Sequence, residues 1–254
     1  MNTLMGKVED KLEKIMKYLM ILGVVALIIY SVRPVSATPS GPSSITTVSS
    51  GRSGLSGGQQ VSAQAGNVSE LNINGRSITN NWQGFFGNVS GAIVLGDANN
   101  NTFYNWNSAS PQGEVYATRT ASTPTWTSIR CANITNIGSE DTTLQANESS
   151  DADSVNNTFL NSTSFTQFYV GNVNINTSQN CFAAHMYNSS AQPSSSSFGE
   201  VLLHDGSNLV YTTLLSPKTT GFDNRSHDFE MLVGENGHNG DTALTTYYFY
   251  VELG

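Results

Sequence analysis

The chain has 254 residues, of which 12% are charged, about half the roughly 25% usual for a soluble domain. Residues 1–37 hold five of the eleven basic groups and three of the nineteen acidic ones, so residues 38–254 keep six basic and sixteen acidic groups, a net charge of −10. Lys218 is the one lysine in that span, which argues against nucleic-acid binding by phosphate neutralisation and against docking on an anionic membrane through a basic patch. Small polar residues stand in for charge: 26 Asn, 31 Ser and 24 Thr follow residue 37. They suit turns and solvated strand faces and are poor in helix interiors, which disfavours a helical bundle or an α/β cytosolic enzyme.

In chain order, Lys7 to Lys17 form a charged start and Tyr18 to Val32 a mostly apolar run, followed by Arg33, Pro34 and the small residues Ser36 and Ala37. This is the layout of a secretory signal peptide, too short for the roughly 20 apolar residues of a typical spanning helix. The reading is export with cleavage after residue 37; the alternative is an uncleaved signal anchor touching the membrane through residues 18–32. Residues 38–66 are rich in Ser, Gly, Thr and Pro and carry too few large side chains to offset their ordering entropy. They read as a flexible linker or, since Ile45 and Val48 lie among Thr46, Thr47 and Ser49, as a strand donated to the open sheet edge of a second copy.

From residue 67 to 254, short apolar or alternating runs are separated by clusters of Gly, Asn, Asp and Ser. Strands are expected at residues 71–73, 92–95, 102–106, 114–118, 126–129, 165–170, 173–175, 181–187, 200–203, 209–214, 229–233 and 245–253. Regular short strands with turn signals predict one all-β domain, a sandwich of jelly-roll-like or immunoglobulin-like type, preceded by the N-terminal signal or anchor helix. In the last run Tyr247, Phe249, Val251 and Leu253 alternate with Tyr248, Tyr250 and Glu252, predicting a long, central strand with the first set inward. Residues 77–86 and 151–160 are candidate helices, the second capped by Asp151 or Asp153.

Cys131 and Cys181 are an even pair in the exported part; a disulfide is the first reading and two buried thiols the second. Ten Asn-X-Ser/Thr sequons are candidate N-glycosylation sites: Asn67, Asn88, Asn100, Asn133, Asn147, Asn156, Asn161, Asn176, Asn188 and Asn224. Glycans there would place these residues on the surface.

Asp97, Asn99 and Asn101 have the 1-3-5 spacing of a calcium loop, but Thr102 and Ser108 stand where that loop needs Gly and Glu, so a hairpin turn is expected. A looser calcium site is conceivable at Glu148, Asp151 and Asp153; otherwise no metal or cofactor is implied. The spacing of His185, His204, His227 and His238 gives no zinc site, and no Gly-x-Ser-x-Gly elbow is present; loop or surface placement is expected for all four. A distant triad or a carboxylate pair has no support in spacing, so no catalytic residue is assigned. Trp82, Phe85, Phe86, Tyr104, Trp106, Tyr116 and Trp126 crowd the first third of the domain, either as core or as a stacking platform for sugar rings or an interface.

Several segments together resemble a group of secreted archaeal cell-surface proteins: Trp82-Gln-Gly-Phe-Phe-Gly-Asn-Val-Ser-Gly91, Phe103-Tyr-Asn-Trp106, Gly113-Glu-Val-Tyr-Ala-Thr118, Gly221-Phe-Asp223, Asp228-Phe-Glu-Met-Leu-Val-Gly-Glu-Asn-Gly237 and Thr246-Tyr-Tyr-Phe-Tyr-Val-Glu-Leu253. No catalytic residue carries over from that group. The overall plan (signal, Ser/Thr-rich tail, Asn-rich β domain) is also similar to archaeal pilus subunits, which implies β domains joined when an N-terminal strand fills the next subunit's groove.

The expected function is therefore a non-enzymatic surface structural subunit of a filament or coat, whose partners are copies of itself or other surface proteins. The alternatives are a surface-held carbohydrate-binding or adhesive module and, third, a secreted hydrolase. Mass spectrometry of the exported protein is expected to find Thr38 as the first residue; a start at Met1 would establish the anchored form instead.

Overall fold

In the computed structural model, the described residues are 16–17, 37–107, 111–146, 150–188, 198–237 and 244–254. The run 18–32 read as signal or anchor lies outside them, as do Asn147, Glu148 and His238. The chain divides into a unit over residues 1–35, of which Met16 and Lys17 are described as helical, and a unit over residues 36–254. No described helix is long and apolar enough to cross a membrane.

The second unit is mostly β. Its strands are β1 (Trp82–Gly87), β2 (Ala92–Gly96), β3 (Thr102–Asn107), β4 (Gly113–Thr118), β5 (Arg130–Cys131), β6 (Phe168–Val170), β7 (Val173–Ile175), β8 (Ala183–His185), β9 (Gly199–His204), β10 (Leu209–Leu214), β11 (Thr219–Thr220), β12 (Ser226–His227), β13 (Phe229–Gly234) and β14 (Tyr248–Leu253). Two helices interrupt them, α1 (Ile134–Leu144) and α2 (Val155–Thr158).

A six-stranded antiparallel sheet forms the centre, in the order β14-β4-β10-β9-β5, with β8 also on β9. β5 and β8 share one edge of β9: Cys131 faces Leu203 and Ala183 faces Val201. The changeover falls at Leu202, whose carbonyl accepts from the Ala132 amide at 2.9 Å and whose amide donates to the Phe182 carbonyl at 2.9 Å. Two segments fifty residues apart thus make one composite strand, and the Cys131–Cys181 disulfide ties them where they meet. The disulfide reading of the two cysteines holds.

Both faces of this sheet are covered. On one face Val115, Ala117, Leu202 and Tyr211 pack with Ile137 and Leu144 of α1, Val155 of α2, Phe159, and Met231 and Val233 of β13. On the other, Tyr116, Val201, Leu203, Val210 and Tyr250 pack with Trp126, Ile129, and Phe168, Val170 and Ile175 of the β6–β7 hairpin. The sheet therefore has no solvated side, and its strands lose the in/out alternation of a half-exposed sheet.

Several expectations are corrected. β14 is an edge strand, pairing with β4 alone among the named strands. Its most buried residues are Tyr250 and Glu252, while Phe249 and Val251 are half-buried, because the second core lies on the side expected to face water. Residues 77–86 form no helix; β1 begins at Trp82. The helix expected over 151–160 is the single turn α2, capped by Ser154 rather than by Asp151 or Asp153. Residues 126–128 make a 3-10 turn before β5, and Leu71 and Ile73 are exposed outside any strand.

Helix α1 escaped the sequence reading because Ile-Thr-Asn-Ile-Gly-Ser-Glu-Asp-Thr-Thr-Leu holds few good helix formers. Its ends are well fixed: Asn133 and Asn136 form a reciprocal capping box, and Gln145 closes the helix with left-handed backbone. Two successive buried acids then dock it. Glu140 accepts from the Tyr211 hydroxyl at 2.9 Å and pairs with Arg119, while Asp141 accepts the Val155 and Asn156 amides at 2.6 and 3.1 Å, capping α2. Gly113, at φ +119, has no room for a side chain, since a Cβ there would lie 2.1 Å from the Glu252 carbonyl oxygen.

Replacing both cysteines by serine is expected to cost on the order of 4 kcal/mol in the chain-entropy account of a loop of this length, read as a lower urea midpoint. An unchanged midpoint would show that β9 alone holds β5 and β8.

Candidate functional site

The β1–β13 ribbon is antiparallel, with Trp82 opposite Gly234 and Gly87 opposite Phe229. The Glu235 amide donates to the Asn81 carbonyl at 2.8 Å. By the alternation of an antiparallel ladder, residues 83, 85 and 87 also turn their backbone groups toward β13, and Trp82, Gly84 and Phe86 turn theirs outward. On β13 the outward groups belong to Glu230, Leu232 and Gly234.

The two edges of the ribbon are treated differently. The outer edge of β13 is stitched to the central sheet by side chains. Thr213 donates to the Glu230 carbonyl at 2.7 Å, the Leu232 amide donates to Glu200 Oε2 at 2.7 Å, and Tyr247 donates to the Gly234 carbonyl at 2.7 Å. On the outer edge of β1, the backbone partner among the described residues is the Gln83 side chain, which donates to the Gly84 carbonyl at 2.7 Å. Along that edge runs an open groove of about 1340 Å³, lined by Trp82 to Phe86, Tyr247, Phe249, Glu230 and Glu235, and by residues 50–53 and Leu55 of the N-terminal arm. Phe86 closes against Phe222 and His227, with ring centroids 5.0 and 4.8 Å away.

Glu200 explains itself through this stitching. It is fully buried, one oxygen takes the Leu232 amide, and the other has no hydrogen-bond partner. Burial pushes its pKa well up and the Leu232 amide only partly opposes that.

A second acidic cluster lies on the opposite face. Glu114 of β4 and Glu252 of β14 are directly opposite each other across the strand pair. The Tyr116 hydroxyl lies 2.9 Å from Glu252 and 3.4 Å from Glu114, and the Gly171 amide at the β6–β7 turn donates to Glu252 at 3.0 Å. Burial first, and the Glu252 charge second, push Glu114 up to about 8. Sequence spacing could not find this pair, because 138 positions separate its members and only the β4–β14 register joins them. Both carboxyls are buried, with the Tyr116 hydroxyl between them.

The N-terminal arm comes next. Ser40 makes one antiparallel bridge to the outer edge of β14, its amide donating to the Val251 carbonyl at 3.0 Å and its carbonyl accepting the Val251 amide at 2.9 Å. The next rung would fall to Pro42, which has no N–H. From residue 41 to residue 81 the arm forms no strand and is exposed except for half-buried Pro42, Ile78 and Asn81. Ile45 is 64% and Val48 94% exposed. Arg52 donates to Asn80 and Arg76 to Ser53, which pins the arm where it passes the groove.

The remaining candidates are scattered. Asp97 locks the β2–β3 turn by accepting the Asn99 and Asn101 amides and the Asn101 side chain, so its oxygens serve a hairpin, as expected. Those bonds, the Asn101 side chain first, hold its pKa below the usual range. The β2–β3 hairpin pairs only with itself and leaves Phe103 84% exposed, with Tyr104 and Trp106 also exposed and their rings 4.7 Å apart. Trp126 and Tyr116 are core, and Trp82 is half-buried with its indole N–H on the Asp153 carbonyl at 2.7 Å.

Among the described residues no three His, Cys, Asp or Glu side chains converge on a metal position. His227 is buried, contrary to expectation, because its ring sits on Phe86 and meets Asp223 at 2.9 Å. Burial works to raise the Asp223 pKa, but the Arg225 amide, His227 and the Arg225 side chain hold it at about 2. His204 is buried too, accepting the Gly206 amide at a hairpin turn, and His185 meets the Ser164 carbonyl at 2.8 Å. Of the sequon asparagines, Asn67, Asn88, Asn100, Asn133, Asn161 and Asn224 are exposed, and Asn156, Asn176 and Asn188 are half-buried.

Comparison with protein-family models, with curated proteins and with solved structures returns no match for this chain.

The raised carboxyls set a pH dependence. Glu114 binds its proton more tightly folded than unfolded, so its contribution is complete below about 4.5 and is lost as pH rises toward 8. Stability is expected to fall by a few kcal/mol over that window, at about 1.4 kcal/mol per pKa unit. Glu114→Gln should flatten the fall, read as urea midpoints between pH 5 and pH 9; an equally steep fall in the variant would remove Glu114 as its cause.

Proposed function

We propose that the chain is a non-catalytic exported cell-surface structural protein, a subunit of an extracellular filament or coat whose copies join by N-terminal strand donation. The observation that carries this reading is the arm. It begins on a free sheet edge at Ser40, cannot continue there past Pro42, and then holds Ile45 and Val48 in solvent. Exposed β-favouring side chains beside unpaired sheet edges are what β-augmentation uses. The similarity of the sequence to secreted archaeal surface proteins, and of its plan to pilus subunits, supports the same reading. The disulfide suits an oxidising compartment, and the surface position of the described sequons suits glycosylation. The stacking of the β1–β13 ribbon on the six-stranded sheet supports describing the domain as a β-sandwich.

A second reading, a carbohydrate-binding or adhesive module, is favoured by the exposed Tyr104–Trp106 ring pair on the free β2–β3 hairpin. A glycan array without hits would count against it.

Deleting residues 38–66 is expected to leave a folded monomer, read by light scattering and electron microscopy beside the full chain. A truncated protein that still polymerises would overturn strand donation.

A further inference from the structure

The stitched and open edges of the β1–β13 ribbon differ in a way that folding alone does not require. Every outward residue of β13 has a side chain on its backbone, two of them from buried Thr213 and Glu200 of the central sheet and one from Tyr247 just before β14. On β1 the outward residues are Trp82, Gly84 and Phe86, and Gly84 stands in open space, with nothing within 4 Å of where a Cβ would be. An unpaired edge of this length beside an open groove is a template for one more strand.

We infer that this groove receives the segment Ser43–Gly51 of a second copy, which pairs its backbone with Trp82, Gly84 and Phe86. The inference rests on the strand-donation reading and names its acceptor. Three features favour this occupant. Ser43–Gly51 has no proline and no charge, so every residue can join a ladder and none has to be desolvated as an ion. Ile45 and Val48 fall on opposite sides of an extended strand, which suits a groove with Phe86 on one part of its wall and Tyr247 and Phe249 on another.

Charge points the same way. Residues 38–80 carry Arg52, Arg76 and Glu70, a net charge of +1, whereas residues 81–254 carry four cations and fifteen acids, a net charge of −11. Glu230 and Glu235 line the groove together with this chain's own Ser50, Gly51 and Arg52, so an incoming arm displaces that stretch and brings its own Arg52 to the same carboxyls. The free edge of β14 is the competing acceptor. It is shorter of free groups, because Ser40 of the same chain already holds Val251.

Cysteine pairing tests this directly, because both native cysteines are in the disulfide. One full-length chain carries Val48→Cys and the other Gly84→Cys, and the two are mixed, allowed to assemble and oxidised. The expected result is a disulfide-linked heterodimer as the main product, and loss of assembly on Gly84→Pro, which removes an outward N–H and none from the ladder with β13. Linkage of Val48→Cys to Leu253→Cys, which lies on β14 outside the groove, in its place would overturn the groove as acceptor and leave strand donation standing. Linkage found only within one chain carrying both Val48→Cys and Gly84→Cys would overturn the second copy as occupant. A full-length protein that stays monomeric would sink strand donation itself.

Discussion

No residue of β9 is exposed: Gly199 to His204 are all buried. The strand is flanked by β10 on one edge and by the joined β5 and β8 on the other, with a core above and a core below. This two-sided burial is the constraint on which the rest of the structure depends. A sheet without a wet face has no solvent to satisfy its polar groups, so each one must find an internal partner or lose its charge.

The buried acids show both solutions. Asp141 and Glu140 are used as helix cap and helix anchor. Glu200, whose pKa burial raises, fastens the edge of β13. Glu114 shares its site with Glu252 under the β6–β7 turn, and burial together with the Glu252 charge raises its pKa to about 8. Opposite behaviour appears at the surface turns, where Asp97 and Asp223 are held below the ordinary carboxylate range by hydrogen bonds. These acids contribute stability above their unfolded values and lose it in acid, while Glu114 loses its contribution as pH rises from about 4.5 toward 8.

The same constraint governs the edges. Burying one side of the ribbon consumes β13, whose backbone is satisfied by Thr213, Glu200 and Tyr247. β1 is left as the outer strand, and β14 is left at the end of the central sheet. The chain therefore keeps open edges at β1 and β14 together with a long exposed arm, whereas proteins usually blunt such edges.

Much of the strand content was legible because turn residues punctuate it. Val173–Ile175 and Leu209–Leu214 form where the apolar runs place them, and Asp97 makes the turn that its Asn-rich surroundings announce. The sequence by itself determined the β-rich class, the paired cysteines and the exposed arm, since these depend on local composition and on there being only two cysteines. Tertiary structure alone decided which face of β14 is inner, that β14 lies at an edge, that Glu114 meets Glu252, and that β1 is left open. Each of these depends on strand order and register, which bring together residues more than a hundred positions apart, and no local pattern records such pairings.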